Sequence, residues 1–215
     1  GLGINAPYGL ASKYSDGWTG RYLATHSELE VANINAVLAI ELNEQWSLGL
    51  GLDYQTADVT LKSQVDSTFG INPQPATDSS AKIQGDDDDI VGDVSLFFKP
   101  TDRTRFGLLW RQGGEFDLEG DATFSLNALC SPGAGFPTGA PPAPTTGTIC
   151  AATLNTLAGD AKASVELPDT VTFSVSHRFS DYWWVHTDIA WTQWSSINTI
   201  DVINTGNNLT VSQLD

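Results

Sequence analysis

The fold class is decided by the stretch Trp46-Ser-Leu-Gly-Leu-Gly-Leu-Asp-Tyr-Gln55, in which apolar side chains alternate strictly with small or polar ones. Leu48, Leu50, Leu52 and Tyr54 fall on one face of an extended chain, and the intervening residues fall on the other. Alternation with a period of two predicts a β-strand that has one apolar face. We therefore expect an all-β protein.

The same alternation recurs on both sides of this stretch, around residues 34–42, 90–99, 105–117, 170–179 and 183–192. Together with the N-terminal segment, these stretches predict about seven strands. In the stretch 105–117, the alternation predicts an apolar face with Phe106, Leu108, Trp110 and Phe116. The polar face would carry Arg105, Arg111, Glu115 and Asp117.

Charged residues lie within the predicted strands, on the polar face, at Asp93, Arg111, Glu115 and Asp188. In a soluble β-sandwich such a face is simply solvated. In a membrane β-barrel the same face lines a polar lumen, while the apolar face meets lipid. Alternation alone leaves both architectures open.

Connection lengths favour the barrel, because short and long connections alternate along the chain. Short turns are predicted at 42–45, 100–103 and 180–181, and long connections at about 14–25, 63–87 and 120–161. Short periplasmic turns and long extracellular loops are typical of outer-membrane barrels. Several alternating stretches also exceed the ~9–11 residues that a tilted transmembrane strand needs.

Tryptophans follow two of the short turns, at Trp46, Trp183 and Trp184. Aromatic rings with a polar atom prefer the membrane–water interface, so these residues predict an aromatic girdle near the short-turn rim.

Composition excludes several classes of function. The 215 residues carry 26 Asp+Glu against 10 Lys+Arg, a formal net charge of -16, so no nucleic-acid partner is expected. The only three histidines, His26, His177 and His186, accompany no nucleophile, zinc or nucleotide-binding motif, so we expect neither an enzyme nor a cofactor. The run Asp86–Asp89 is predicted to be a solvated loop, with a Ca²⁺ site as the alternative and no metal site assigned.

Seven short segments stand out in order along the chain: Gly1–Leu10 with Ala11, Tyr14 and Trp18; Glu41–Leu52; Gly85-Asp-Asp with Gly92; Phe97–Pro100; Trp110-Arg111; Leu167-Pro168; and Ala190–Ser195. This ordered set resembles the FadL-type transporters of the bacterial outer membrane, a family that includes long-chain fatty acid and aromatic hydrocarbon transporters. It covers nearly all the predicted strands, while the long connections match poorly.

The resemblance implies an antiparallel transmembrane β-barrel of fourteen strands in which this chain supplies about seven, from the third to the ninth. Residues 1–215 would then form one partial barrel domain, and the N-terminal hatch and C-terminal strands would lie in a longer protein. It also implies a monomer in the bacterial outer membrane, in contact with lipid and lipopolysaccharide, and a hydrophobic small molecule, fatty acid or hydrocarbon, as its partner.

In the family, the ligand is captured between extracellular loops and leaves sideways where the third strand is kinked. The resemblance places this kink at Pro7, Tyr8, Gly9 and Leu10. Pro lacks the N–H that a strand ladder needs, and Gly relaxes the backbone, so the residues themselves also favour a bend, a bulge or a strand end.

The capture groove would involve the connections 63–87 and 120–161, with apolar candidates Phe124, Leu126, Leu129, Phe136, Leu154 and Leu157. So many apolar residues in an exposed loop either pack on one another or contact ligand. In an oxidising compartment Cys130 and Cys150 could form a disulfide that pins this loop. A fatty-acid carboxylate would need a cation, for which Lys62 and Arg111 are candidates; Arg111 could instead pair with an acidic residue across the lumen.

Two alternatives stay open at this point. A soluble β-sandwich that binds a ligand would share the alternation, and a non-specific polar porin would share the barrel.

Overall fold

The structure, a computed structural model, describes residues 1–139, 143–196 and 200–214. It is built almost entirely of β-strands, as the alternation predicts, and contains one α-helix, α1 (Thr146–Leu157). The strands are β1 (Leu2–Lys13), β2 (His26–Glu41), β3 (Trp46–Asp66), β4 (Asp78–Thr101), β5 (Thr104–Arg111), β6 (Glu115–Ser125), β7 (Gly159–Glu166), β8 (Thr170–Arg178), β9 (Trp184–Thr192), β10 (Ile200–Asn204) and β11 (Thr210–Leu214). Short 3₁₀ turns lie at Pro75–Thr77 and Trp194–Ser196.

The strands form one antiparallel sheet in which neighbours along the chain are neighbours in space. β4 pairs with β5 through residues 93–101 and with β6 through residues 80–86, so β5 and β6 are two parts of one run. In the same way β8 continues β7 and β10 continues β9. The described sheet thus has eight consecutive strand runs, where a run is one strand or two strands that continue each other. Seven runs correspond to predicted strands, and β11 is the run that the alternation does not predict.

The sheet curls into part of a barrel with a concave and a convex face. On the concave face Asn33, Asp53 and Gln55 are each 0% exposed, whereas Leu52, on the convex face, is 64% exposed. The curl brings Val31 of β2 and the facing side chains of β6 and β7 into one buried cluster, completed by Ala57, Phe116, Leu118, Val165 and Leu167. Antiparallel pairing and curl confirm the predicted fold class.

As far as β9 the connections alternate in length, as predicted, but two of the long ones are shorter than predicted. Short connections at 42–45, 102–103 and 179–183 leave one rim of the sheet, and 14–25, 67–77 and 126–158 leave the other. The connection 205–209 between β10 and β11 departs from this pattern, because it is short and leaves the long-loop rim. The loop predicted over 63–87 is confined to 67–77, because residues 63–66 pair with residues 78–81. The loop predicted over 120–161 is likewise confined to 126–158 and contains α1.

The loop placement of Asp86–Asp89 is therefore wrong, because all four residues belong to β4. Asp86 and Asp88 are exposed, whereas Asp87 and Asp89 are half-buried and point their carboxylates at β6. Among the residues that the structure describes, no group of three or more His, Cys, Asp or Glu side chains is placed to hold a metal ion.

One predicted face is also wrong. Phe116 is 1% exposed on the concave face, whereas Trp110 is exposed on the convex face, and Glu115 and Asp117 are exposed as well. The alternation changes phase because residues 112–114 interrupt the run between β5 and β6. A single change of phase moves every later side chain of that strand to the opposite face of the sheet. Of the charges predicted for the polar face, Asp93 and Arg111 therefore keep their place and Glu115 does not.

Aromatic rings form a row near the short-turn rim. Trp46 stacks on Phe98 with ring centroids 4.2 Å apart, and the row continues through Phe106 and Phe173. Trp183 and Trp184, beside another short turn, are 73% and 53% exposed. Within the described residues, no helix combines the length and the apolar character that crossing a membrane requires.

Candidate functional site

An apolar chamber of about 300 Å³ lies on the concave face, towards the long-loop rim. Its lining comes from β1 to β4 on one side and from β6, β7 and β10 on the other. The apolar residues of the lining are Leu10, Leu29, Val59, Leu61, Ile83, Leu118, Ala161, Ala163, Val165, Leu167 and Val202. Such a wall offers few hydrogen-bonding partners, so it suits an apolar occupant.

A layer of polar side chains, here called the polar layer, lies on the same face nearer the short-turn rim. It contains Asn33 and Asn35 of β2, Asp53 and Gln55 of β3, Asp93 of β4 and Arg111 of β5. Asn33 donates a hydrogen bond to the Asp53 carboxylate, and Asn35 donates one to Asp93 at 2.9 Å. In the register, Asn33 lies opposite Gln55, and Asp93 opposite Arg111.

The convex face changes character at the same height, in the opposite sense. From Trp46 to Tyr54 its residues on β3 are apolar, and from Asp58 to Gln64 they are Asp, Thr, Lys and Gln. The apolar band spans nine residues of β3, close to the ~9–11 that cross a bilayer. The wall is therefore polar inside and apolar outside near the short turns, and apolar inside and polar outside near the long loops.

Strand β1 is irregular at this height. Its register against β2 shifts between Asn5 and Tyr8, so Ala6 and Pro7 together oppose one residue, Ala32. An extra residue in one strand is a β-bulge, which bends the strand and leaves a ladder group unpaired. The bulge falls on the predicted kink, and a second cavity of about 470 Å³ lies against Pro7–Leu10.

The runs opposite β1 are interrupted at the same height, at residues 112–114 and 167–169. Aspartates replace the missing strand-to-strand hydrogen bonds there. Asp89 accepts from the Glu115 amide at 3.0 Å and Asp87 from the Asp117 amide at 2.7 Å. Asp169 accepts from the Gly113 amide at 2.8 Å and from the indole of Trp110 at 3.2 Å.

The described parts of the connection 126–158, residues 126–139 and 143–158, pack against the long-loop rim. Cys130 and Cys150 form a disulfide, and both are almost completely buried. Leu154 of α1 packs on this disulfide together with Val65 and Phe124. The end of α1 is held by Asn204, whose amide donates to the carbonyls of Leu157 and Ala158 at 3.2 and 3.1 Å.

The six groove candidates are therefore in different environments. Phe124 and Leu154 pack around the disulfide, and Leu129, Phe136 and Leu157 are half-buried. Leu126 is 41% exposed and has the most surface to offer a ligand.

The two candidate carboxylate partners lie on opposite faces of the sheet. Arg111 belongs to the polar layer and lines the cavity beside Pro7–Leu10. Lys62 is exposed on the convex face of β3, where its backbone carbonyl accepts from the Thr25 amide at 2.7 Å. Of the two, Arg111 is the one on the concave face, in the cavity that Pro7–Leu10 also line.

Sequence reasoning missed a buried ion pair that ties the connection 14–25 to β4. Arg21 Nε lies 2.6 Å from Asp78 Oδ2, and the hydroxyl of Tyr22 donates to the other oxygen of Asp78 at 2.9 Å. Burial, together with the adjacent Asp78 carboxylate, raises the pKa of Tyr22. Arg21 and Tyr22 precede Asp78 by 57 and 56 positions in the chain, so only the fold reveals these contacts.

The loop 67–77 is anchored in a similar way by Asp66 at the end of β3. Its carboxylate accepts from the amide and hydroxyl of Thr68 and from the amide of Gly70. Burial opposes ionisation of this group, but these hydrogen bonds outweigh it and lower the pKa of Asp66.

The whole chain, residues 1–215, matches the family model described as outer membrane protein transport protein (OMPP1/FadL/TodX). The chain belongs to this FadL/TodX family. Its members are outer-membrane transport proteins, in agreement with the expectations of an outer-membrane location and of no enzymatic role.

Among its relatives, the long-chain fatty acid transport protein of Escherichia coli O6:H1 is 26% identical, over 93% of this chain and 46% of the relative. Outer membrane protein P1 of Haemophilus influenzae is 24% identical, over 93% of this chain and 43% of the relative. The chain thus spans about half the length of the relatives that it matches.

Two solved structures share the fold. A FadL homologue of Pseudomonas aeruginosa superposes with a TM-score of 0.79 at 18% identity, over 99% of this chain and 49% of that one. The toluene transporter TbuX of Ralstonia pickettii superposes with a TM-score of 0.66 at 18% identity, over 100% and 58%. The concave face of this FadL/TodX-family chain is accordingly the lumen side of a transmembrane β-barrel wall.

Proposed function

We propose that the protein carries hydrophobic small molecules, long-chain fatty acids or hydrocarbons, passively across the outer membrane. The observation that carries this proposal is the apolar chamber on the lumen side, set above a polar layer. Relatives named as a long-chain fatty acid transport protein and a toluene transporter support the same class of substrate.

The apolar chamber makes the entry of an apolar molecule into the barrel energetically favourable. Transfer of apolar surface out of water contributes roughly 25 cal/mol per Å², and the chamber wall is formed mainly by Leu, Ile, Val and Ala side chains. A water-filled pore would give such a molecule no affinity. We place the first capture step at the connections 67–77 and 126–158, with Leu126 as the most exposed apolar contact.

The polar layer disfavours further movement of the same molecule down the lumen, and so favours a lateral exit. Directly below the chamber lie the buried polar side chains of Asn33, Asp53 and Gln55, and an alkyl chain passing between them would offer their polar atoms no hydrogen bond. The bulge in β1 lies at this height, and the cavity beside it includes Pro7, Gly9 and Leu10. We propose that substrate leaves the barrel there and enters the lipid.

Arg111 is the proposed contact for a substrate carboxylate. It is the positive charge of the polar layer and lines the cavity beside the bulge. Asp93 lies opposite it in the register, so Arg111 keeps an acidic neighbour when the substrate is a neutral hydrocarbon. Both kinds of substrate are therefore compatible with the site.

The test is uptake by liposomes that contain the complete protein. We expect accumulation of radiolabelled oleate or toluene above that of empty liposomes, and no swelling in an isosmotic sugar solution. Swelling with sugars and no gain in hydrophobic uptake would identify a polar porin instead.

A further inference from the structure

We infer that Tyr8 is the gate between the apolar chamber and the exit at β1, and that it controls both the speed of passage and the width of the substrate that passes. This inference rests on the proposed function, since it assigns a residue to the step between chamber and exit. Its starting point is a contact across the lumen. The phenol of Tyr8 donates a hydrogen bond to the backbone carbonyl of Pro168, at 2.8 Å and 160 positions away in the chain.

Both ends of this contact lie in irregular backbone. Tyr8 is the first residue of β1 to regain its register with β2 after the bulge. Pro168 is fully buried in the interruption between β7 and β8, where its carbonyl takes part in no strand ladder. A carbonyl outside a ladder needs another donor when it is buried, and Tyr8 supplies one.

The contact lies where the two cavities meet. The chamber and the cavity beside the bulge share three lining residues, Leu10, Leu29 and Leu167. Leu167 precedes Pro168, Leu10 is two positions from Tyr8 on the same face of β1, and Leu29 belongs to the paired strand β2. The ring of Tyr8 packs on the buried cluster that includes Val31, Phe116 and Leu167, and it also lines the cavity beside the bulge.

A phenol suits this position because its two parts act separately. The ring closes the passage with an apolar surface that an alkyl or aromatic substrate can slide past. The hydroxyl fixes the ring by one neutral hydrogen bond, which is weak enough to break at each passage. A substrate that displaces the ring would need to break that bond, so the bond sets part of the barrier.

The experiment compares Tyr8→Phe and Tyr8→Ala in the complete protein with Tyr54→Phe, which alters a tyrosine on the convex face. Uptake of oleate and toluene into proteoliposomes and release of prebound oleate would be measured by stopped flow. We expect Tyr8→Phe to accelerate both about two- to tenfold, the effect of losing one hydrogen bond at the barrier. Tyr54→Phe should match the wild type.

Substrate width separates a gate from a purely structural role. Removing the ring in Tyr8→Ala should favour a wide probe, such as a pyrene-labelled fatty acid, more than oleate, whereas a distorted barrel would slow all probes alike. If Tyr8→Ala fails to fold, Tyr8→Leu also removes the ring but keeps an aliphatic side chain that can pack on the buried cluster, so it carries the same comparison.

Unchanged or slower uptake in Tyr8→Phe, with wild-type protein active, would overturn the gate. Wild-type protein that takes up neither oleate nor toluene would instead overturn the proposed function on which it rests.

Discussion

At the scale of single residues, the chemistry of the site depends on which face of a strand each side chain occupies. Leu61 and Thr60 are neighbours on β3, yet Leu61 lines the chamber and Thr60 lies on the convex face. Arg111 and Lys62 were both candidates from the sequence, and the structure puts them on opposite sides of the wall. Alternation predicts such assignments well within an uninterrupted strand.

The chamber wall can be tested with adjacent residues. Leu61→Asn would place an amide in the apolar wall, and we expect oleate to bind roughly fivefold more weakly, as follows from losing about 1 kcal/mol of apolar contact. Thr60→Asn introduces the same amide on the outer face and should leave binding unaltered. Fluorescence displacement on the purified protein gives both affinities, and equal losses in the two variants would show that the chamber does not hold the ligand.

The carboxylate contact is tested by charge removal. Arg111→Gln should weaken oleate binding about tenfold, in the range of a charged hydrogen bond, and leave toluene binding within twofold. Lys62→Gln is the matched control and should bind oleate as the wild type does. Loss of oleate binding in the Lys62 variant alone would move the carboxylate site to the outside of the barrel.

At the scale of secondary-structure elements, the strands, their order and the alternating rims follow from the sequence, because local alternation and turn residues determine them. The interruptions at 112–114 and 167–169 do not. Gly113 lies so close to the carbonyl of Leu167 that a β-carbon there would collide with it. The adjacent glycines Gly113 and Gly114 are a local sign of such an approach, but alternation alone does not use it. The face of Phe116 was predicted wrongly for that reason. The hydrogen bonds from Asp87, Asp89 and Asp169 to the interrupted strands were missed because their partners are backbone amides of another strand.

The bulge in β1 belongs to this scale and is tested by making the strand more regular. Pro7→Val with Gly9→Val supplies the missing N–H and two residues that favour strands. We expect uptake of oleate to fall at least fivefold while equilibrium binding stays within twofold, because the chamber is unchanged. A variant that transports at the wild-type rate would exclude exit at the bulge.

The disulfide stabilises the connection 126–158 rather than the barrel wall. It closes a segment with a sequence separation of 20 residues, for which loop closure corresponds to about 3 kcal/mol. In Cys130→Ala with Cys150→Ala we expect faster proteolysis within 126–158 and weaker capture of oleate at low concentration. The heat-induced unfolding of the barrel, followed by circular dichroism, should shift little. A large shift would mean that this connection holds the barrel together.

At the scale of the whole molecule, the two faces of the wall exchange character at one height. There the lumen changes from polar to apolar, the convex face changes from apolar to polar, β1 bulges and the opposite runs are interrupted. The sequence contains the residues of both zones, but their common height depends on the register of four strands and was not predictable from any one of them. This arrangement supports a path that enters an apolar chamber above the bilayer and leaves sideways at its floor.

The most direct test of this path is to locate a ligand in the barrel. A crystal structure of the complete protein with 16-bromohexadecanoic acid would give the position of the bromine by anomalous scattering. We predict a peak within the chamber, between Leu29 and Val165, with the alkyl chain above the polar layer. A ligand lying among Asn33, Asp53 and Gln55, on a straight course through the lumen, would contradict the account.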